Sequence, residues 1–240
     1  MLLLIASAVI PAVILLVRIY RLDRLEKEPV SLLAALVILG VIATSLASLS
    51  EQLGDFVLSF FLPEQHPAYP FLLYFGVVAF SEEGFKYLLL KNRTWRSPHF
   101  NCQFDGVVYA AFVSLGFALW ENIGYVLRYG FATALARAVT AIPGHACFGV
   151  FMGVMYGVAK RRQMSGDETA SRRSRWLAVW IPALLHGLYD YIATQQTDGL
   201  TLLFVGFVAA LFFVSYRLAV ATARRDRYLD TYPGPGSGIG

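Results

Sequence analysis

Charged residues and cysteines are scarce in this chain. Of its 240 residues, 15% are charged and two, Cys102 and Cys147, are cysteine. A water-soluble fold needs about a quarter of its residues charged to cover its surface, so that class is excluded. The cysteines lie in different segments and form no CxxC pair, which argues against a disulfide framework and a thiolate metal site. With 57% hydrophobic residues and a mean hydropathy of +0.57, the chain is predicted to be an integral membrane protein.

Several well-known catalytic motifs are also absent. The sequence has no HExxH zinc-protease helix, no GxGD motif, no phosphate loop and no dinucleotide fingerprint. Its Gly-Ser-Gly run, residues 236–238, belongs to a polar tail and cannot supply a buried serine nucleophile. The net charge of +4 is accounted for by the basic loops that membrane proteins carry. ATP-driven, redox and nucleic-acid-binding roles therefore have no support.

Long charge-poor runs predict seven membrane-spanning helices, because a span needs roughly 20 apolar residues. The predicted spans cover about residues 2–17, 30–50, 70–90, 106–127, 132–159, 176–197 and 199–216. Segment 56–62 is too short to cross and is expected either to lie at the interface or to extend the second span. The runs are twice as long as barrel strands and lack their alternation. The predicted fold is an all-α polytopic membrane helix bundle, with one membrane-embedded domain over residues 1–230 and a flexible Pro/Gly-rich tail over 231–240.

The basic residues predict the orientation of this bundle. With seven spans, 17 of the 20 Lys and Arg residues fall in loops on one side, and Lys and Arg concentrate in cytoplasmic loops. The opposite loops are expected to carry the acidic residues Glu51, Asp55, Glu64 and Asp198. The amino terminus is therefore predicted to lie outside and the carboxyl terminus in the cytoplasm. Arg137, by contrast, falls inside a span.

Three ionisable residues occur within one turn of the third predicted span, where each costs about 2.5 to 3.5 kcal/mol on insertion scales. They are Glu82, Glu83 and Lys86. Helical spacing lets Lys86 neutralise one carboxylate while the neighbouring carboxylate is turned about 100° away. A purely structural ion pair would account for Lys86 and one glutamate and would leave the second glutamate unexplained.

Three further predicted spans carry polar groups at similar depth. The fourth contains Glu121 and Asn122, the fifth His145, and the sixth His186 with Asp190. His186 and Asp190 are four residues apart and share a helix face. At a rise of about 1.5 Å per residue, the groups of all four spans can meet in one layer near the middle of the membrane, with Glu121 toward its outer rim.

Two kinds of hydrolytic chemistry fit this layer. Carboxylates and imidazoles are zinc ligands, a catalytic zinc usually takes three protein ligands and a water, and another carboxylate can act as the base. In a metal-free version, a glutamate activates water while a histidine or Asn122 stabilises the oxyanion. Asp190 is either a ligand or the acceptor that orients His186. A proton-coupled transporter or channel, with buried Glu, His and Lys as relay groups, is the alternative from another class.

The motifs together resemble the PrsW family, which is similar to the CAAX-prenyl endopeptidases and the Abi proteases. Glu82-Glu83-Gly84-Phe85-Lys86 matches EExxK, Phe117-Ala118-Leu119-Trp120-Glu121 matches FxxxE, and His145 and His186 each begin a later histidine motif. The segment from Arg21 to Pro29 looks like the first cytoplasmic loop of the family. Either of the first two motifs alone is weak, but their order and their placement in separate spans are specific.

The resemblance implies a multi-pass endopeptidase of the bacterial cytoplasmic membrane that cleaves single-pass membrane proteins, such as an anti-sigma factor. Its expected catalytic residues are Glu82, Glu83, Glu121, His145 and His186. We expect water to be held by a divalent metal, zinc, on His145, His186 and Glu121, or to be activated by glutamate without metal. Lys86, Asn122 and Asp190 are expected to support this site. Its expected partners are the substrate helix and the lipid bilayer.

Overall fold

The computed structural model describes residues 2–195 and 198–229 of the chain. These residues form nine α-helices and one π-helix. The α-helices are α1 Leu2–Leu22, α2 Val30–Phe61, α3 Tyr69–Phe71, α4 Ala79–Thr94, α5 Asp105–Tyr129, α6 Phe131–Val139, α7 Ala141–Met164, α8 Glu168–Thr194 and α9 Asp198–Arg224, and the π-helix is Leu72–Val78. The predicted tail over 231–240 lies outside the described residues.

The all-α membrane bundle is confirmed. Five helical segments are long and apolar enough to cross a membrane: Ile5–Leu22, Val30–Phe61, Asp105–Tyr129, Phe131–Met164 and Gly199–Arg224. The other two predicted spans correspond to segment 69–94 and to α8, which carry the Glu-Glu-Lys and His-Asp groups. The count of seven spans and the predicted orientation stay predictions.

Several boundaries differ from the sequence-based expectations. Helix α2 continues to Phe61, so Glu51 and Asp55 lie on a helix and not in a loop, and segment 56–62 extends the second span. The single span predicted over 132–159 is interrupted at Thr140, whose backbone angles (φ −118°, ψ −67°) separate α6 from α7. Helix α8 starts at Glu168, because Asp167 caps it by accepting a hydrogen bond from the amide of Ala170 at 2.9 Å.

A π-helix immediately precedes the Glu-Glu-Lys turn. It covers Leu72–Val78 and leads without a break into α4. Gly187 of α8 fits against it so closely that an added Cβ would lie 2.7 Å from the ring of Phe75. Wider helical turns of this kind often mark functional sites. Here the π-helix meets α8 beside His186.

Helix α5 forms the centre of the bundle, since all its residues from Asp105 to Ala118 are buried. Small residues let its neighbours approach at backbone distance. A Cβ added to Gly106 would lie 2.6 Å from the amide nitrogen of Gly157 on α7. On the other side, a Cβ added to Gly40 of α2 would lie 2.6 Å from the amide nitrogen of Phe117. This close packing of small residues is typical of membrane helices and sets the positions of the side chains above it.

One end of the bundle gathers the basic segments, and we call the chain stretches 22–30, 94–105, 160–175 and 224–229 the basic end. Long-range hydrogen bonds join these stretches. The side-chain amide of Asn101 donates to Glu26 (3.1 Å), the amide of Leu229 donates to the carbonyl of Asn101 (2.7 Å), and the amide of Phe104 donates to Asp226 (2.9 Å). These bonds tie the segment before α5 to the segments that follow α1 and α9.

Candidate active site

The first turns of α4 place two carboxylates and one ammonium in a buried group. Nζ of Lys86 donates to Oε2 of Glu82 at 3.0 Å and to Oε1 of Glu83 at 2.8 Å. Lys86 and Glu83 are fully buried, and Glu82 is 5% exposed. The expectation that Lys86 serves only one carboxylate is wrong, because its long side chain reaches between the i−3 and i−4 positions. The ring of Phe117, 3.7 Å from Nζ to the centroid, covers the ammonium.

His186 of α8 joins the same carboxylates. Its Nδ1 lies 3.0 Å from Oε1 of Glu83 and 3.8 Å from Oε2 of Glu82. Its other nitrogen, Nε2, lies 3.4 Å from Oδ2 of Asp190. Asp190 thus stands behind the ring, which is the arrangement expected of a group that orients a histidine.

His145 of α7 lies between Lys86 and Glu121. Its Nδ1 is 3.2 Å from Nζ of Lys86, and its Nε2 is 3.0 Å from Oε2 of Glu121. An ammonium has only donors, so Nδ1 accepts from Lys86 and Nε2–H donates to Glu121. The rings of His145 and His186 meet edge to face, with centroids 5.1 Å apart.

Arg137 of α6 also binds Glu121, a contact that the sequence did not predict. Its Nη2 lies 2.8 Å from Oε2 of Glu121, and its Nε donates to Oδ1 of Asn122 at 3.1 Å. The available signal was a lone arginine in an otherwise apolar run. Asn122 is fully buried and its Nδ2 has no hydrogen-bond partner among the described residues. Its predicted role toward the oxyanion stays a prediction.

Four of these side chains form a group that could hold a metal ion. Glu82, Glu83, His145 and His186 each offer one ligand atom, and these atoms lie within 4.8 Å of one another. Oε2 of Glu83 is buried and accepts no hydrogen bond from the described residues. Two imidazoles beside a carboxylate with an unused oxygen fit a divalent cation such as zinc. Glu121, the other predicted metal ligand, is not one of these four residues, and its Oε2 contacts His145 and Arg137.

A cavity of about 370 Å³ reaches this group from the side of α2. Its wall includes Glu82 and Glu121 from the predicted site. The carboxylate of Glu82 is therefore accessible from the cavity, whereas Glu83 is fully enclosed behind it. Water can enter a polar cavity of this size.

Fold and site together define a membrane-embedded helical protein with a buried, cavity-lined group of glutamate, histidine and lysine. Residues 28–217 match the family described as PrsW family intramembrane metalloprotease. The chain is 34% identical to Protease PrsW of Halalkalibacterium halodurans over 70% of this chain and 75% of that protein. It is 33% identical to Protease PrsW of Bacillus subtilis over 81% and 84%, and 32% identical to that of Oceanobacillus iheyensis over 91% and 95%. No solved structure matches the chain.

The chain belongs to the PrsW family of intramembrane metalloproteases. This membership confirms the family that the motifs predicted and identifies the protein as an intramembrane protease. It also decides against the transporter alternative. An enzyme of this kind acts on membrane proteins within the lipid bilayer.

Proposed function

We propose that the protein hydrolyses a peptide bond of a single-pass membrane protein, such as an anti-sigma factor, at the group formed by Glu82, Glu83, His145, His186 and Lys86. The observation that carries this proposal is the meeting of these side chains, from three helices, beside a cavity. Isolated ion pairs that only stabilise packing would not need a cavity or an unused carboxylate oxygen.

Glu82 is the proposed base. Its carboxylate faces the cavity, whereas Glu83 is enclosed and bound by both Lys86 and His186. Glu82 takes a proton from a water molecule as the water oxygen attacks the peptide carbonyl carbon. The proton then passes to the leaving nitrogen as the C–N bond breaks, which yields a carboxylic acid and an amine.

Glu83, His145 and His186 are the proposed metal-binding residues, with zinc as the ion. A bound ion would replace Lys86 as the partner of Nδ1 of His145. When bound, this ion supplies Lewis-acid polarisation of the reacting groups. Lys86 holds the ionised carboxylates in place through its two hydrogen bonds. Asp190 orients the ring of His186, while Glu121 and Arg137 hold His145 through its Nε2. Asn122, whose Nδ2 has no hydrogen-bond partner among the described residues, is the proposed donor to the substrate or the oxyanion.

Cleavage of a transmembrane peptide by the purified protein in detergent tests the proposal. We expect Glu82→Gln, Glu83→Gln and His186→Ala each to lower kcat by roughly 100-fold or more, the usual scale for removing a general base. Glu64→Gln, at an exposed residue between α2 and α3, is the matched control and should cleave at the wild-type rate. Equal cleavage by all five proteins would rule out this site.

The metal is tested separately by elemental analysis of the same preparations. We expect zinc in the wild type and a loss of zinc in His145→Ala. A cleaving preparation without detectable metal would instead support the glutamate mechanism that needs no metal. The natural substrate can be sought by measuring which membrane proteins lose their intact form when the protease is present.

A further inference from the structure

Helices α2 and α5 touch along one half of their length and separate along the other. At the contact, an added Cβ on Gly116 would lie 2.8 Å from Cα of Val37. Further along, Oγ1 of Thr44 still reaches the carbonyl of Phe117 at 3.3 Å. Beyond Thr44 the cavity of about 370 Å³ lies between the helices, and we call this opening the α2–α5 gap.

The α2–α5 gap leads from the outer surface of the bundle to Glu82. A second cavity, of about 460 Å³, shares Thr44, Ser48, Glu121 and Gly124 with the first. Its remaining wall includes Leu49 and Trp120, which are 66% and 48% exposed on the outer surface of the bundle. A peptide could therefore approach Glu82 laterally, without passing through the basic end.

The α2 side of the gap is a polar edge. Thr44, Ser48 and Glu51 follow one another at spacings of four and three residues, so they share one helix face. The hydroxyl of Ser50 lies 2.9 Å from that of Ser81, which holds this part of α2 beside the first turn of α4. On the α5 side, a Cβ added to Gly124 would meet nothing within 4 Å, so the gap is open there.

Glu51 lines this gap and carries an unused acceptor. Its Oε1 is buried and accepts no hydrogen bond from the described residues. A buried carboxylate oxygen without a partner is unfavourable, and more so within a membrane. Neither the proposed hydrolysis nor the metal-binding group uses Glu51, so its carboxyl group is available to a ligand that enters the gap.

We propose that an unwound segment of the substrate lies along the polar edge of α2 and that Glu51 accepts a hydrogen bond from its backbone N–H. The inference rests on the proposed function. A substrate helix must open locally to present its carbonyl carbon, and each opened turn frees N–H groups that lipid cannot satisfy. A carboxylate acceptor beside the base satisfies one of them and holds the scissile bond near Glu82.

Two variants of Glu51 test this role through kinetics. Loss of a hydrogen bond that leaves a buried donor unsatisfied corresponds to roughly a tenfold to hundredfold effect. We expect Glu51→Leu to raise KM by about that factor, and Glu51→Gln, which keeps an acceptor oxygen, to recover most of the loss. If Glu51→Leu left KM unchanged, or if Glu51→Gln were as impaired as Glu51→Leu, the proposal would be overturned.

Peptides in which one backbone N–H is replaced by an ester oxygen identify the donor. With the wild type, we expect one such replacement near the cleaved bond to raise KM by about tenfold, on the same hydrogen-bond scale. The same peptide should suffer no such loss with Glu51→Leu, because the acceptor is already gone. Equal penalties for every ester peptide in both proteins would contradict the assigned contact.

A bulky side chain placed in the α2–α5 gap tests whether the substrate reaches Glu82 by this route. Gly124→Leu places a side chain into open space and should lower kcat/KM without lowering the thermal midpoint of unfolding. Gly206→Leu, on α9, is the matched control, because a Cβ there also meets nothing within 4 Å. Unchanged kcat/KM in Gly124→Leu would show that the substrate does not use this gap.

Photo-crosslinking separates this inference from the proposed hydrolysis. In a Glu83→Gln background, a photoreactive residue at Ser48 should capture the peptide, and excess unlabelled peptide should compete. The same probe at Ile38, on an exposed part of α2, should show no competed capture. Competed capture without any cleavage by the wild type would overturn the hydrolysis and keep the binding edge. Cleavage without capture at Ser48 would overturn the binding edge alone.

Discussion

The site and the basic end both bury carboxylates, but they treat them differently. In the site, Lys86 bridges Glu82 and Glu83, and Arg137 pairs with Glu121. At the basic end, Oδ2 of Asp105 instead accepts from the backbone amides of Cys102 at 2.6 Å and Asn101 at 3.0 Å. Buried carboxylates in the site are stabilised by cationic side chains, whereas Asp105 in the basic end is stabilised by backbone N–H groups.

The carboxylates that follow α1 show what burial without an ion pair costs. Asp23 and Glu28 are 2% and 4% exposed, and each has one oxygen without a hydrogen-bond partner among the described residues. Burial raises the pKa of Asp23 to about 6 and that of Glu28 to about 7. Acidic residues in a protein of this class are therefore not equivalent. Those beside a cavity and a cation are suited to chemistry, and those packed in the basic end serve structure.

The largest effect should follow from removing the cation of the site. Lys86→Met leaves two buried carboxylates uncompensated, which costs about 3 to 5 kcal/mol of stability. Thermal unfolding in detergent should show it directly, with Lys91→Met at the partly buried end of α4 as the control. Adding Glu83→Gln to Lys86→Met should recover part of the loss. Additive losses in the double variant would contradict the pairing.

The next largest effect should come from helix packing, which is tight at Gly106 and open at Gly124 in the α2–α5 gap. Gly106→Ala forces a Cβ against the backbone of Gly157, at 2.6 Å, and should destabilise the protein by about 1 to 3 kcal/mol. Gly124→Ala adds the same group to open space and should be neutral or stabilising by up to about 1 kcal/mol, because alanine favours the helix. Thermal midpoints of the two variants measure the contrast. Equal midpoints for Gly106→Ala and Gly124→Ala would show that α5 and α7 are not tightly packed at Gly106.

Removing the guanidinium of Arg137 should have a smaller effect, which appears as a lower kcat. Arg137→Gln deprives Glu121 of its 2.8 Å ion pair, which loosens the support of His145. We expect kcat to fall by about tenfold, roughly 1.4 kcal/mol, while the folded fraction is unchanged. Arg137→Lys keeps the charge but loses the fork that also reaches Asn122, so it should recover kcat only in part. Unaltered kcat in Arg137→Gln would remove this residue from the site.

The smallest effect should be the contribution of the basic end to the pH dependence of protein stability. The ordinary pKa values of Asp23 and Glu28 are 3.8 and 4.5, so the folded protein holds their protons more tightly than the unfolded chain does. Between about pH 4 and 7 stability therefore falls as pH rises, and it is not regained above pH 7. Asp23→Asn with Glu28→Gln should flatten this trend and raise the thermal midpoint at pH 8 by roughly 2 to 4 °C. Glu64→Gln, the control, should leave the dependence of stability on pH unchanged.

Much of the architecture could be predicted because hydrophobic runs and helical spacing are local properties. The run of apolar residues identified α2, and the i, i+3 and i, i+4 spacing placed both carboxylates within reach of Lys86. It did not show that Lys86 binds both of them. The break at Thr140 was missed, since the sequence around it is apolar on both sides. The π-helix was missed because its residues, Leu72–Val78, are compatible with an ordinary helix.

The sequence by itself determined the membrane class, the protease family and the helices that carry Glu82, Glu83, His145 and His186. Only the tertiary structure decided that Arg137 holds Glu121 and that Glu51 faces the α2–α5 gap. The physical reason is that the rotation and depth of one helix against another depend on many close contacts at once, such as those of Gly40 and Gly106. No local pattern along the chain encodes that sum.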